Sequence, residues 1–292
     1  MHILITGGTG FIGSKLAKYF LDQKYKVTIL SRNIKNILPS ANIITNLEDI
    51  KSKIDIIINL AGEPLDKKRW NNEVKNEIYN SRINTTKKLV DYINNSKTPP
   101  SLLISGSAVG YYGSSYTKTY IEKDPAPQND FPSKLCFDWE KEAFKANNKT
   151  RVCIIRLGIV LGKNGGALSK MLLPFKLCLG ARLGNGSQYM SWVHIDDVIG
   201  AIDFLINSKN SSGTYNVTSP NAVSNSEFTT ILAKSLGRFS FLYLPEFVLK
   251  LLFGEIGKEL LLKSQKTYPE KLINEGYSFK YNALESALQN TL

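Results

Sequence analysis

The chain has 292 residues, 42% of them hydrophobic, enough for one sizeable core or two coupled ones. Lys and Arg outnumber Asp and Glu by 37 to 25, a formal charge of +12, yet 30 of the cations are Lys scattered along the chain, with no basic run that has interleaved aromatics; that pattern predicts a solvated surface and no nucleic-acid partner. No apolar run reaches the length of about 20 residues that a membrane span needs, so no membrane partner is expected, and Cys136, Cys153 and Cys178 are too separated, and odd in number, for a disulfide framework or a metal site.

The chain opens on a strand-like run, "HILIT" (2–6), with no cleavable leader pattern before it, which predicts a cytoplasmic protein. "ITGGTGFIG" then sets Gly7, Gly10 and Gly13 in a GxxGxxG pattern between that strand and a helical stretch over 11–24. Glycines there permit a tight turn and a close backbone approach to a pyrophosphate seated at the helix N-terminus, with Phe11 and Ile12 completing the turn. The next strand, "KVTILS" (26–31), leads into Ser31 and Arg32, where an NAD-preferring site usually carries a carboxylate for the ribose 2′-hydroxyl. Arg can pair with a 2′-phosphate and Ser can donate to it, so NADP(H) is expected as the preferred cofactor, with NAD(H) possible.

"IDIIINLAG" (54–62) is a strand whose end passes beside adenine and ribose in such folds, making Asn59, Leu60, Ala61 and Gly62 candidates for backbone contacts. Ser105 on the following strand, "SLLISGS" (101–107), joins the cofactor set. Helical patterns over 70–96 and 133–147 and further strands "RVCIIRLG" (151–158) and "GTYNV" (213–217) complete an alternation that predicts an α/β, Rossmann-type, doubly wound parallel sheet. Residues 161–190 mix a helix with Gly-rich turns as a substrate-side insertion, and the Asp pair in "WVHIDDVIGAIDFLIN" is placed to cap the following helix. The expected division is an NAD(P)-binding domain over 1–240 and a small, mainly helical C-terminal domain over 241–292.

The stretches "LAGEPLDKKRWNNEVKNEIYNSRINTT", "SAVGYYG", "RLGIVLGKNGGAL", "WVHIDDV" and "LLLKSQKTYPEKLINEGYSFKYNALESAL" span nearly the whole chain. Together they resemble the extended short-chain dehydrogenase/reductases, the superfamily of nucleotide-sugar epimerases and dehydratases. More narrowly, they resemble its atypical branch of epimerase-family proteins with unassigned substrate and their own small terminal domain. That resemblance implies NADP contacts at Ser31, Arg32, Leu60, Ala61, Glu77, Arg82 and Arg156, and, as in related proteins, a homodimer.

In the superfamily a Ser orients the substrate, a Tyr phenol moves a proton, and a Lys four residues on lowers the phenol's pKa. Ser107 occupies the serine position. With Glu140 aligned on the acid one turn beyond the Lys, Pro132 stands where Tyr belongs and Cys136 where Lys belongs; none of the 14 tyrosines has Lys four residues later. Tyr111 and Tyr112, close after Ser107, are the remaining candidates for proton handling, with walling of an apolar pocket as the other reading. Two functions follow. One is an NADP(H)-dependent oxidoreductase or epimerase acting on an unknown small molecule. The other is a catalytically silent NADP(H)-binding sensor or partner module, with a link to cell division implied by relatives of the branch.

Overall fold

A computed structural model describes residues 1–32 and 38–292. Seven strands form one parallel sheet: His2–Thr6 (β1), Lys26–Leu30 (β2), Asn42–Ile44 (β3), Ile56–Asn59 (β4), Leu102–Ala108 (β5), Arg151–Leu157 (β6) and Gly213–Val217 (β7). Their spatial order is β7-β6-β5-β4-β1-β2-β3. Strand order therefore reverses at β1, whose neighbours are β2 and β4. The helices that follow β1 and β4 pack on opposite faces of the sheet, which opens a crevice at the carboxyl ends of the strands.

Side chains alternate across each strand, so successive buried residues enter two different cores. Ile3, Ile5, Ile56, Ile58 and Ile104 face a core shared with Leu16, Ala17 and Phe20 of helix Phe11–Asp22 (α1). Leu4, Ile57, Leu103 and Ile154 face the opposite core, with Leu89, Val90 and Ile93 of helix Asn72–Asn95 (α2) and Ala143 of helix Phe131–Phe144 (α3). Both faces are covered, as the continuous apolar runs require.

Caps set the helix starts. Asn71 accepts from the Val74 amide at 2.8 Å and Asp130 from the Ser133 amide at 2.9 Å. The Asp130 cap starts α3 two residues ahead of the 133–147 expectation, and Pro132 fits because the first turn needs no amide hydrogen from it. The cap expected from the Asp pair comes instead from His194, whose Nδ1 accepts from the Asp196 amide at 3.1 Å. Asp197 is buried, and its carboxylate accepts the amides of Lys280 and Tyr281 at 2.6 and 3.0 Å.

The insertion contains helix Gly166–Lys176 (α4). Helices Ile195–Asn207 (α5) and Asn225–Ser235 (α6) follow, and the C-terminal part adds helices Glu246–Phe253 (α7), Glu270–Asn274 (α8) and Leu284–Thr291 (α9). Leu272 of α8 enters the core of β1 and α1, and Leu284 and Leu288 of α9 pack with Phe228 and Leu232 of α6.

Candidate functional site

The glycine turn is built by backbone proximity. Gly7 has φ of +69°, and a Cβ there would lie 2.7 Å from the Leu60 carbonyl oxygen. A Cβ at Gly13 would lie 2.2 Å from the Gly7 carbonyl oxygen. The loops after β1 and β4 and the first turn of α1 thus meet at distances that only glycine allows. Gly10 is the N-cap of α1, with no side-chain cap and no acid in the first turn, so the helix presents open amides and no competing carboxylate.

Around this turn lies a cleft of about 1050 Å³. Gly7, Gly10, Ser31, Arg32, Leu60, Ala61 and Gly62 line it together, joined by Thr9, Thr45, Glu63, Ser81 and Lys88. Arg32 and Glu77 also line an adjoining groove of about 490 Å³. Among the predicted cofactor residues, Phe11 turns its ring onto Gly165 and Gly166 of the insertion. Asn59 and Ser105 are fully buried below the cleft, where the Asn59 amide donates to Thr86 Oγ1 at 2.8 Å and to Ser105 Oγ at 3.2 Å. Their side chains hold adjacent elements together rather than facing the cleft.

Arg32 reaches across the mouth to Glu63, Nη2 to Oε1 at 2.6 Å, with its own side chain 84% exposed. That hydrogen bond holds the Glu63 carboxyl below the usual carboxylate range against the opposing effect of burial. Arg82 does not pair with Glu77, which meets Lys68 at 3.6 Å instead. The Arg82 guanidinium lies beneath Gly62, where a Cβ would come within 2.7 Å of it, and its Nη1 donates to the carbonyls of Glu63 and Ile78 at 3.0 and 3.1 Å. It braces the cleft wall from behind, and burial lowers its pKa.

Arg156, implied by the resemblance as an NADP contact, does not line the cleft. It is 3% exposed, and its Nε and Nη2 grip both oxygens of Glu140 at 2.8 Å. The register of β5 and β6 sets Ser107 beside Arg156, and Ser107 Oγ donates to Glu140 Oε1 at 2.6 Å. Arg156 Nη1 donates to the Tyr112 hydroxyl at 2.7 Å, and Tyr112 donates onward to Asn216 Oδ1 at 2.7 Å. A buried guanidinium satisfied in this way cannot turn to a ligand without leaving Glu140 uncompensated, a loss of about 3–5 kcal/mol. The geometry therefore assigns Arg156 to the interior.

The dyad positions are equally closed. Pro132 and Cys136 are buried in α3, and burial pushes the Cys136 thiol up to about 11, so it stays protonated near neutral pH. Burial also raises the Tyr112 phenol above its ordinary value, although Arg156 works the other way. Tyr111 is half-buried, with the Arg156 guanidinium carbon 3.4 Å from its ring centroid. Lys134 is exposed and meets Asp138 at 3.6 Å. Ser107, Tyr111 and Tyr112 do sit together, but the first and third have their hydroxyls committed to Glu140 and Asn216.

Glu63 escaped the sequence reading. The only available signal was a carboxylate just past the "NLAG" strand end. It pairs with Arg32 across the end of β1, because the two residues follow β4 and β2, the strands that flank β1.

Comparison with known proteins agrees with this architecture. Residues 244–291 match a domain of unknown function, DUF1731. The epimerase family protein SDR39U1 homolog, chloroplastic, of Arabidopsis thaliana is 38% identical, over 99% of this chain and 86% of that protein. Human epimerase family protein SDR39U1 is 36% identical, over 99% of both chains. A crystal structure of the human protein with NADPH superposes with a TM-score of 0.91 at 34% identity, covering 99% of this chain and 98% of that one. Residues 3–218 match the NAD dependent epimerase/dehydratase family, and the chain belongs to it.

Proposed function

We propose that the chain binds NADP(H) in the cleft beside Gly7 and acts as an oxidoreductase or epimerase on a small molecule, without a Tyr–Lys dyad. One observation carries this reading: the glycine turn, Ser31 and Arg32 line a single cleft of about 1050 Å³. The fit is chemical as well as spatial. Gly10, the uncapped N-terminus of α1, lines the cleft where a diphosphate would sit, the Leu60–Gly62 backbone forms a thin wall, and Arg32 stands where a 2′-phosphate would need a cation. The human relative solved with NADPH adds support. When bound, the nicotinamide supplies or accepts hydride; the chain's part is to hold the cofactor and exclude water. Tyr111 is the hydroxyl of the expected trio least enclosed by protein and is the candidate to handle the proton.

The second reading, a binder without turnover, is favoured by the donation of the Ser107 hydroxyl to Glu140. Fluorescence titration with NADPH, followed by oxidation of NADPH against a panel of aldehydes and ketones, separates the two. Saturable binding with turnover supports the enzyme, binding without turnover supports the silent protein, and no binding overturns both.

A further inference from the structure

Of the fifteen exposed large apolar side chains among the described residues, eleven fall in two short segments, 173–179 and 239–253. A parallel ribbon, Leu242–Leu244 on Ala181–Leu183, joins these segments in space. Because the ribbon is parallel, the residues entering its two strands lie at the same end. Leu177 and Leu179 from the end of α4 are therefore set beside Phe239 and Phe241, and Arg238 Nε donates to the Lys176 carbonyl at 3.3 Å across the same junction. Phe239 and Phe241 stack at 5.6 Å while 74% and 87% exposed. Where the ribbon ends, α7 begins; Phe247 and Leu251 stand one turn apart on its outer side, each 71% exposed, while Leu249 on the opposite side is fully buried. So α7 is anchored by one face and bares the other.

The charge around this face is one-sided. Residues 170–182 and 238–258 carry six Lys or Arg against two carboxylates. Glu255 pairs with Lys75, and three of the six cations are themselves paired, Lys250 with Glu246, Lys170 with Asp66 and Lys258 with Glu259, which leaves Lys176, Arg182 and Arg238 without a carboxylate among the described residues. We propose that this face docks the protein onto an anionic lipid surface, with the phenylalanine and leucine side chains in the headgroup–acyl boundary and the flanking cations against lipid phosphates. With 8 residues, α7 is far short of the about 20 needed to span a bilayer, so the contact lies in the interface plane. A second copy is the poorer occupant. A two-fold contact would set this patch against itself and bring its cations face to face. A lipid surface supplies both the apolar medium and the opposite charge.

The test is cosedimentation of the full chain with vesicles of phosphatidylcholine alone and of phosphatidylcholine mixed with phosphatidylglycerol. Binding is expected only to the anionic vesicles, falling at least about tenfold when salt rises from roughly 0.05 to 0.5 M. The double variant F241S/F247S should bind at least about tenfold more weakly, with NADPH titration and thermal melting unchanged as checks on folding. Lys176→Glu with Lys250→Glu should weaken binding by a similar factor while leaving the apolar side chains in place. No association with anionic vesicles, or association indifferent to both variants, overturns the proposal. So does self-association without lipid that F241S/F247S abolishes, which would give the face to a second copy.

Discussion

Arg32 and Glu63 set the electrostatics at the mouth of the cleft, and they compete with any anion that approaches Arg32. The pair is a surface one on the arginine side, 84% exposed, so its worth is at most about 1 kcal/mol. Glu63→Gln should therefore strengthen NADP(H) binding by up to about fivefold, by leaving Arg32 to the 2′-phosphate and removing a negative charge beside it. Arg32→Glu should weaken NADP(H) about ten- to a hundredfold, the worth of a charge-assisted hydrogen bond, and change NAD(H) much less. Parallel titrations of each variant with both cofactors at one ionic strength check both statements, and equal losses for NADP(H) and NAD(H) would contradict the role given to Arg32. Glu122 offers a different single-residue test. Its Oε1 accepts the amides of Asn216 and Lys271 at 3.0 and 3.3 Å, while its buried Oε2 has no partner among the described residues. Burial raises its pKa above the usual carboxylate range, against the lowering effect of those amides. A raised folded pKa means the acid form suits the fold, so that stability is present at low pH and lost as pH rises through the raised value. Glu122→Gln, neutral throughout and still able to accept both amides, should melt higher than the parent at about pH 7 and lose that advantage at about pH 4.

At the scale of elements, the glycine turn is the joint on which the cleft depends. Gly13→Ala would press a methyl group to 2.2 Å from the Gly7 carbonyl oxygen, and neither backbone can yield without moving α1 from β1. A stability loss of about 1–3 kcal/mol is expected, together with a clear fall in NADPH affinity. Thermal melting and titration of the same sample read both, and a variant that binds NADPH like the parent would show that the turn tolerates more than its geometry indicates. This element was legible because strand, glycine spacing and helix all declare themselves locally. The central strands were legible for the same reason, as apolar runs buried on both faces. The strand Asn42–Ile44 was not, since it has three residues at a sheet edge and only Ile44 is buried. The Ser107–Glu140–Arg156 cluster was beyond reach for another reason. Ser107 and Arg156 meet through the register of β5 and β6, and Glu140 comes from a helix between them in sequence. Sequence reading could use Glu140 as a marker of register but not see it as the partner that takes both side chains out of play.

At the scale of the whole molecule, the C-terminal residues raise the question of what folds with what. Residues 3–218 and 244–291 match two separate families, which suggests two separable units. The packing argues against separation. Leu272 and Phe279 belong to the same core as Ile3 and Phe20, while Tyr281, Leu284 and Leu288 fill the core of Trp192 and Phe228. The Asp197 carboxylate is buried against amides that only this segment supplies. Five large side chains at about 1.5–3 kcal/mol each amount to as much as the whole net stability of a typical domain, about 5–15 kcal/mol. Removing 269–292 would also strip the Asp197 carboxylate of both amides it accepts. The shortened chain should therefore show no cooperative thermal transition and bind no NADPH, even though every residue lining the cleft is retained. If it melts cooperatively near the parent's temperature, the C-terminal segment is an appendage, and the shared cores contribute far less than their burial implies.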